Sequence, residues 1–316
     1  MRYKRRKKNR IGLWIFGLLI LLIFIGSAGK INEKGNTADS TPSEERTETT
    51  KKDSVMEVHF VDVGQGDCTL IICDGEAMII DAGDNNQGTK VQLYLKKHGV
   101  EKLKYVVASH PDADHIGGLD VIIYKFECEN ILVPNCENDT RTYDAFIGSI
   151  KAKGYKSEVV DVGNRYSLGG ASFEILSPFK DFTYEDTNNS SIILRIDHGE
   201  NSFLFTGDAL AQAQQTIIYD DELNADADVI KVPHHGANSG YMKAFYDEVT
   251  PEYAVISCGK DNSYGHPSAS VLNELKSRKT KMFRTDLQGT VIAVSDTMNI
   301  SFNVEPSDNW EPGDRQ

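Results

Sequence analysis

The chain is short of cysteine in any useful spacing, of positive charge, and of apolar runs beyond its N-terminal stretch. Cys68, Cys73, Cys128, Cys136 and Cys258 form no CxxC or CxxH pair, which leaves out the cysteine-based metal and redox motifs. Five is an odd count, so at least one thiol stays unpaired outside the cell. Nothing compels a Cys128–Cys136 bridge, and burial as small apolar side chains accounts for all five. The net charge is −13, and setting aside the seven cations of the first ten residues leaves −20 for the remainder. An acidic chain does not attract nucleic acid through its general field, because that binding relies on Lys and Arg at the phosphates. Chemistry on a phosphodiester polymer would have to rest on a site, not on a basic surface. No internal repeat is visible.

What is present starts with a topological signal. The first ten residues hold seven Lys or Arg and no acid. Ile11 to Gly29 (IGLWIFGLLILLIFIGSAG) then runs nineteen residues without a charge, about the length a helix needs to cross a hydrocarbon core. A cleavable signal peptide needs a shorter apolar core and a small-residue cleavage site. Ser27-Ala28-Gly29 supplies the site, while the length of the run favours an uncleaved anchor. By the positive-inside rule residues 1–10 form a cytoplasmic head, 11–29 a single-pass anchor, and the rest lies outside the cell membrane. Residues 30–54 have almost nothing apolar to bury and read as a disordered linker.

The globular domain is expected over 55–304, followed by a polar tail, 305–316. Short apolar runs alternate with helical spacing, an α/β pattern. Met56 to Val63 alternates as a strand, and Cys68 to Cys73 and Ala77 to Ile80 form a hairpin across Asp74-Gly75. Helices are expected at Gly88–His98, Leu119–Phe126, Thr140–Lys153, Ala209–Tyr219 and Pro267–Arg278, the last with Pro in its first turn. His198 falls in a hairpin turn and is expected in solvent.

The chain is organised around Lys104 to Gly118, KYVVASHPDADHIGG. A buried β-branched run breaks into His110, Asp112, Asp114 and His115, four potential metal ligands within six residues. A helix cap would use one such side chain, and this loop supplies four. Two imidazoles and two carboxylates suit borderline and hard divalent cations. Other apolar runs end in the same way, at Asp81, Asp208 and His234. Sites in layered α/β folds gather where strand ends emerge. His and Asp converging there point to a dinuclear metal centre that hydrolyses its substrate by activating water.

His110-x-Asp112-x-Asp114-His115 resembles the HxHxDH signature of the metallo-β-lactamase superfamily, with Asp in place of the second His. VGQGD at 63–67, DAG at 81–83, TGD at 206–208, KVPHHG at 231–236 and YGHP at 264–267 extend the likeness. As an ordered set they resemble the extracellular hydrolase domain of ComEC-type DNA-internalisation competence proteins. The resemblance implies an αββα sandwich with two divalent metal ions. His110 and Asp112 would hold one ion, Asp114 and His115 the other, and Asp208 would bridge them. His234 would be the last metal-binding His, and Asp81 the acid that orients ligands. His235 and His266 would sit at the rim, placed to protonate a leaving group.

Two departures matter. Many members carry a further His before the TGD strand, where this chain has Asp186-Thr187-Asn188-Asn189-Ser190. The first metal position is then rich in oxygen ligands, which shifts the preference from zinc towards manganese or magnesium. The second departure is architectural: ComEC-type proteins carry a many-helix channel, and this chain has one apolar segment. It would be an anchored hydrolase working beside a separate membrane channel. Its substrate would be a phosphodiester, DNA among them; a cell-envelope phosphodiester polymer is the second reading and a non-catalytic binding module the third. Protease added to intact cells should remove the domain from outside, and protection from it would refute the topology.

Overall fold

A computed structural model describes residues 54–313. The basic head, the apolar run 11–29 and the linker up to residue 53 lie outside the described residues. Among those described, no helix is long and apolar enough to cross a membrane.

The strands in chain order are β1 (Met56–Phe60), β2 (Thr69–Cys73), β3 (Glu76–Ile80), β4 (Lys102–Val107), β5 (Glu127–Val133), β6 (Ser157–Val159), β7 (Arg165–Leu168) and β8 (Ala171–Ser177). They continue with β9 (Ile193–His198), β10 (Asn201–Phe205), β11 (Val229–Lys231), β12 (Tyr253–Ile256), β13 (Lys281–Arg284), β14 (Val291–Ser295) and β15 (Ile300–Phe302). One sheet has the order β15-β14-β1-β2-β3-β4-β5-β6, the other β13-β12-β11-β10-β9-β8-β7. Each sheet is antiparallel in one part and parallel in the other, β3 to β6 and β10 to β13 being parallel. The parallel crossovers carry helices, which cover the outer faces.

Alternation decides the layers. On β1, Met56, Val58 and Phe60 point between the sheets, where they meet Phe173, Ile196, Phe205 and Phe283 from the second sheet. Leu70, Ile79, Val106 and Ile131 point the other way, against α1 (Gly88–Lys97), and against two further helices introduced below. The outer face of the second sheet packs on α5 (Ala211–Tyr219), α6 (Lys243–Val249) and α7 (Ala269–Arg278). The first sheet's other cover is α3 (Leu119–Lys125) and α4 (Arg141–Ala152), and α2 (Ala113–Ile116) is a single turn inside the central loop. The result is the expected αββα sandwich.

Two local expectations fail. His198 is fully buried, not solvated: β9 runs through to it, pairing it with Asn201, so only Gly199 and Glu200 remain for the turn. Its ring bonds Ser295 Oγ at 2.7 Å and Ser54 Oγ at 2.8 Å. Pro267 is not in the first turn of α7, which starts at Ala269 after Ser268. The polar stretch after 304 is attached to the domain as far as it is described. Ser307 N donates to Met282 O at 2.7 Å, Arg284 donates to Glu311 O at 2.6 Å, and Gly313 N donates to Pro267 O at 3.0 Å. All five cysteines are free thiols.

The central loop is held by a close backbone approach. Ala82 N donates to His115 O at 2.8 Å and Gly118 N to Gly83 O at 3.1 Å. A Cβ on Gly117 would lie 2.3 Å from Asn85 N and 2.5 Å from Ala113 O. Backbone cannot yield as a flexible side chain can, so Gly117→Ala should cost about 1–3 kcal/mol. The readout is a lower urea midpoint at unchanged slope; a wild-type midpoint would contradict this packing.

Candidate metal centre

Most side chains of the site follow the end of a strand, and Asp112, Asp114 and His115 come from the loop after β4 and its single helical turn. Asp81 follows β3, Ser109 and His110 follow β4, Asp208 follows β10, and His234 and His235 follow β11. Asp67 comes in from the turn before β2. The two sheets are tied at this edge, since Ile192 N donates to Ser109 O at 2.8 Å, and within the second sheet His234 N donates to Gly207 O at 3.1 Å.

Asp81 organises the central loop. Its Oδ1 accepts from Ser109 N at 2.8 Å, and its Oδ2 from Ser109 Oγ at 2.6 Å and His115 Nδ1 at 2.9 Å. With Nδ1 so engaged, His115 turns Nε2 towards Asp208 Oδ1, 3.3 Å away. His235 is set by the same logic: Nδ1 donates to Ser257 O at 3.0 Å. Its Nε2 therefore faces Asp114 Oδ2 at 3.2 Å and Asp208 Oδ2 at 3.3 Å. Asp67, His115, Asp208 and His235 each bring a ligand-type atom within 4.8 Å of the others, all buried.

On the other side of His115, whose ring is 4.1 Å from that of His110, lie His110 and Asp112. His110 Nε2 is 3.7 Å from Asp112 Oδ2, and Asp112 Oδ1 accepts from Thr187 Oγ1 at 2.9 Å. Thr187 thus comes from the stretch that lacks the extra His and supports the neighbouring carboxylate.

The donor set fits a cation. Asp67 Oδ1, His110 Nε2, His115 Nε2 and Asp208 Oδ1 are buried without a hydrogen-bond partner. Orphaned atoms of this kind are costly in a protein interior unless an ion or water satisfies them. The charges agree. Burial alone would raise Asp208, but the His115 and His235 imidazoles hold it well below the usual carboxylate range. Asp114 is lowered against its own burial by the same two rings. Burial likewise works against charge on His115 and His235, yet the surrounding carboxylates raise both well above 6.5. Without metal the two histidines hold protons where a divalent ion would supply the charge; ligation needs them neutral, so metal uptake displaces protons.

The expected residues divide as follows. Asp81, Asp114, His115 and Asp208 meet in one cluster, with His110 and Asp112 beside it. His234 and His235 exchange places relative to expectation. His235 is 1% exposed and lies among the ligand-type atoms, whereas His234 stands at the rim with Nε2 3.7 Å from Asp208. The cause is the backbone: both residues sit at positive φ, 49° and 53°, so the chain coils at Pro233–Gly236 and swings the second ring inward. His266 is at the opening, its ring 6.2 Å from that of His235 and stacked on exposed Tyr264 at 5.5 Å. Asp67 and Lys231 were not assigned roles from sequence. Asp67 sits in the VGQGD turn and pairs with the buried Lys231 ammonium. Lys231 and His235 hold the Asp67 carboxyl low despite its burial.

A four-layer α/β/β/α sandwich with His and Asp at its strand ends defines the metallohydrolase type of fold. The chain belongs to the metallo-beta-lactamase superfamily, whose family model matches residues 61–260. It is 31% identical over 240 residues to Recombination protein 2 of Haemophilus influenzae, covering 74% of this chain and 28% of that one. It is 30% identical over 234 residues to Competence protein ComA of Neisseria gonorrhoeae, covering 73% and 31%. These matches support the ComEC-like assignment of the domain, and the chain spans less than a third of the length of either relative. The metallo-beta-lactamase fold protein YhfI from Bacillus subtilis superposes with a TM-score of 0.50 at 14% identity, covering 77% of this chain and all of that one. That likeness bears on the fold alone.

The exchange of the two histidines is directly testable. His235→Ala should lose at least one equivalent of bound divalent metal, while His234→Ala keeps the wild-type content. Elemental analysis of the two purified variants checks it, and the opposite pattern would return the ligand role to His234.

Proposed function

We propose that the protein is a metal-dependent phosphodiesterase, with DNA among its substrates, held on the outer face of the cell membrane by the apolar run 11–29. The observation that carries this is the set of buried, unbonded ligand atoms on His110, His115 and Asp208, in a chain related to competence proteins. In this reading Asp114, His115, Asp208 and His235 would hold one ion, and His110 and Asp112 would hold a second. The oxygen-rich second position favours manganese or magnesium over zinc.

Two bound ions would lower the pKa of water and offset charge developing on the phosphoryl oxygens. The chain's residues prepare for that chemistry. Asp81 and the Ser257 carbonyl fix the ring orientations of His115 and His235, so that neither must reorganise during turnover. Asp67 is paired with Lys231, which keeps it ionised behind His235. His266 is half-buried at the opening and stacked on Tyr264, within reach of a substrate and outside the ligand cluster. It is the residue placed to give a proton to the leaving oxygen.

A groove of about 440 Å³ lies between the turn at Gly64-Gln65 and Gly259-Lys260. Its walls meet where Gly259 N donates to Gln65 Oε1 at 3.1 Å. Lys90 and Lys260 line it together with Asp62 and Asp286, so its walls carry both signs of charge. Hard ions at the oxygen-rich position favour phosphate oxygens over an amide carbonyl, which is why a phosphodiester is favoured over a β-lactam. A separate membrane channel remains the partner this reading implies.

The test is hydrolysis of bis-p-nitrophenyl phosphate, stimulated by manganese and abolished in Asp114→Ala. His266→Ala should slow turnover by roughly 10²–10⁴-fold with metal content unchanged. Single-stranded DNA compared with a polyol-phosphate polymer then separates the nuclease from the envelope reading. Fully metallated protein that cleaves none of these would make the domain a binding module.

A further inference from the structure

A second group of metal-type side chains lies away from the cleft. Glu57 and His59 are two apart on β1, so both leave the face opposite to Met56, Val58 and Phe60. That face is covered by α1, and His98 closes the C-terminal end of the helix. The His98 and His59 rings are 4.6 Å apart at 76°. His59 is wholly buried, with Nε2 3.0 Å from Glu57 Oε2 and Nδ1 2.8 Å from the Tyr94 hydroxyl. One ligand-type atom from each of Glu57, His59 and His98 lies within 4.8 Å of the other two.

We propose that Glu57, His59 and His98 form a second, independent divalent-metal site of the zinc class, which clamps the end of α1 to β1. Two imidazoles and one carboxylate are a donor set that zinc takes readily, with water completing the tetrahedron. Tyr94 fixes the His59 ring through Nδ1 and leaves Nε2 as the ligand atom, the arrangement by which metal-binding imidazoles are usually held. Bonds near 2.0–2.1 Å at tetrahedral angles put ligand atoms about 3.3 Å apart. The Glu57–His59 separation is already close to that value. His98 and Glu57 are only partly buried, so their side chains can turn inward without moving the backbone.

The site is structural by position. The other end of α1, at Gly88, packs on the Gly118 carbonyl just past His115, and a ten-residue helix is about 15 Å long. The clamp therefore acts on the far end of the helix whose near end supports the central loop. No residue of the cleft contributes to it.

The experiment uses the full chain, stripped of metal and then loaded with zinc. Wild type should hold one more zinc equivalent than His98→Ala, while Asp208→Ala, which disrupts the cleft, keeps it. Glu57→Gln should weaken this zinc at least tenfold, and because Glu57 is partly exposed it keeps the fold if His98→Ala does not. Zinc should raise the melting temperature of Asp208→Ala, and not that of Asp208→Ala combined with Glu57→Gln. Equal zinc content and equal thermal response in wild type, His98→Ala and Glu57→Gln would overturn the proposal and leave a hydrogen-bonded cluster. The readouts are metal content and melting, so failure here leaves the chemistry of the cleft untouched.

Discussion

One carboxylate holds the site together. Asp81 is 1% exposed and sits at φ 58°, a left-handed backbone that a non-glycine residue adopts at some cost. It is held there by donors from three directions: Ser109 N, Ser109 Oγ and His115 Nδ1. Its own amide donates to Val107 O at 2.9 Å, so the same residue closes the β3–β4 ladder and opens the cleft. A carboxylate accepting several bonds inside a protein is a strong anchor, because each bond is charge-assisted. Remove it, and both the path of the central loop and the orientation of His115 lose their reference point.

Around that anchor the remaining charges only make sense together. Asp67, Asp81 and Asp208 are all buried, with Asp112 and Asp114 half-covered beside them. Against these carboxylates the interior sets one ammonium, Lys231, and imidazoles that must be protonated to help. An uncompensated buried charge costs several kcal/mol even after relaxation. The excess of negative charge is therefore a demand for cations, and it is concentrated where the strand ends converge. Two divalent ions would meet it and free the imidazoles to act as donors. A fold under no such demand would not gather five acids around one ammonium.

Much of this was legible in the sequence, for a specific reason. Asp81, His110 and Asp208 follow apolar runs that must be strands, and in a sandwich the C-terminal ends of such strands share one edge. Position in sequence thus gave position in space. What failed was orientation. His234 and His235 are neighbours, and which ring points inward depends on two successive left-handed residues that no periodicity encodes. Asp67 was missed because a Gly-Gln-Gly-Asp turn reads as punctuation, and its partner Lys231 reads as a surface cation within a strand, yet is 3% exposed. For His198, the sequence pattern makes the turn one residue too wide at its start, and the β9–β10 pairing of His198 with Asn201 buries the ring.

Net charge means less at the scale of the site than at a distance. A net charge of −13 describes the field far from the surface, where screening beyond about 8–10 Å already weakens it. A substrate in the cleft meets something else: ligand carboxylates that bound cations would neutralise. Repulsion at long range slows encounter; attraction at short range governs what stays bound. An acidic enzyme acting on a polyanion is consistent on those terms if the polymer is delivered to it rather than captured from solution. Under the proposed membrane anchoring the substrate would reach the cleft in that way.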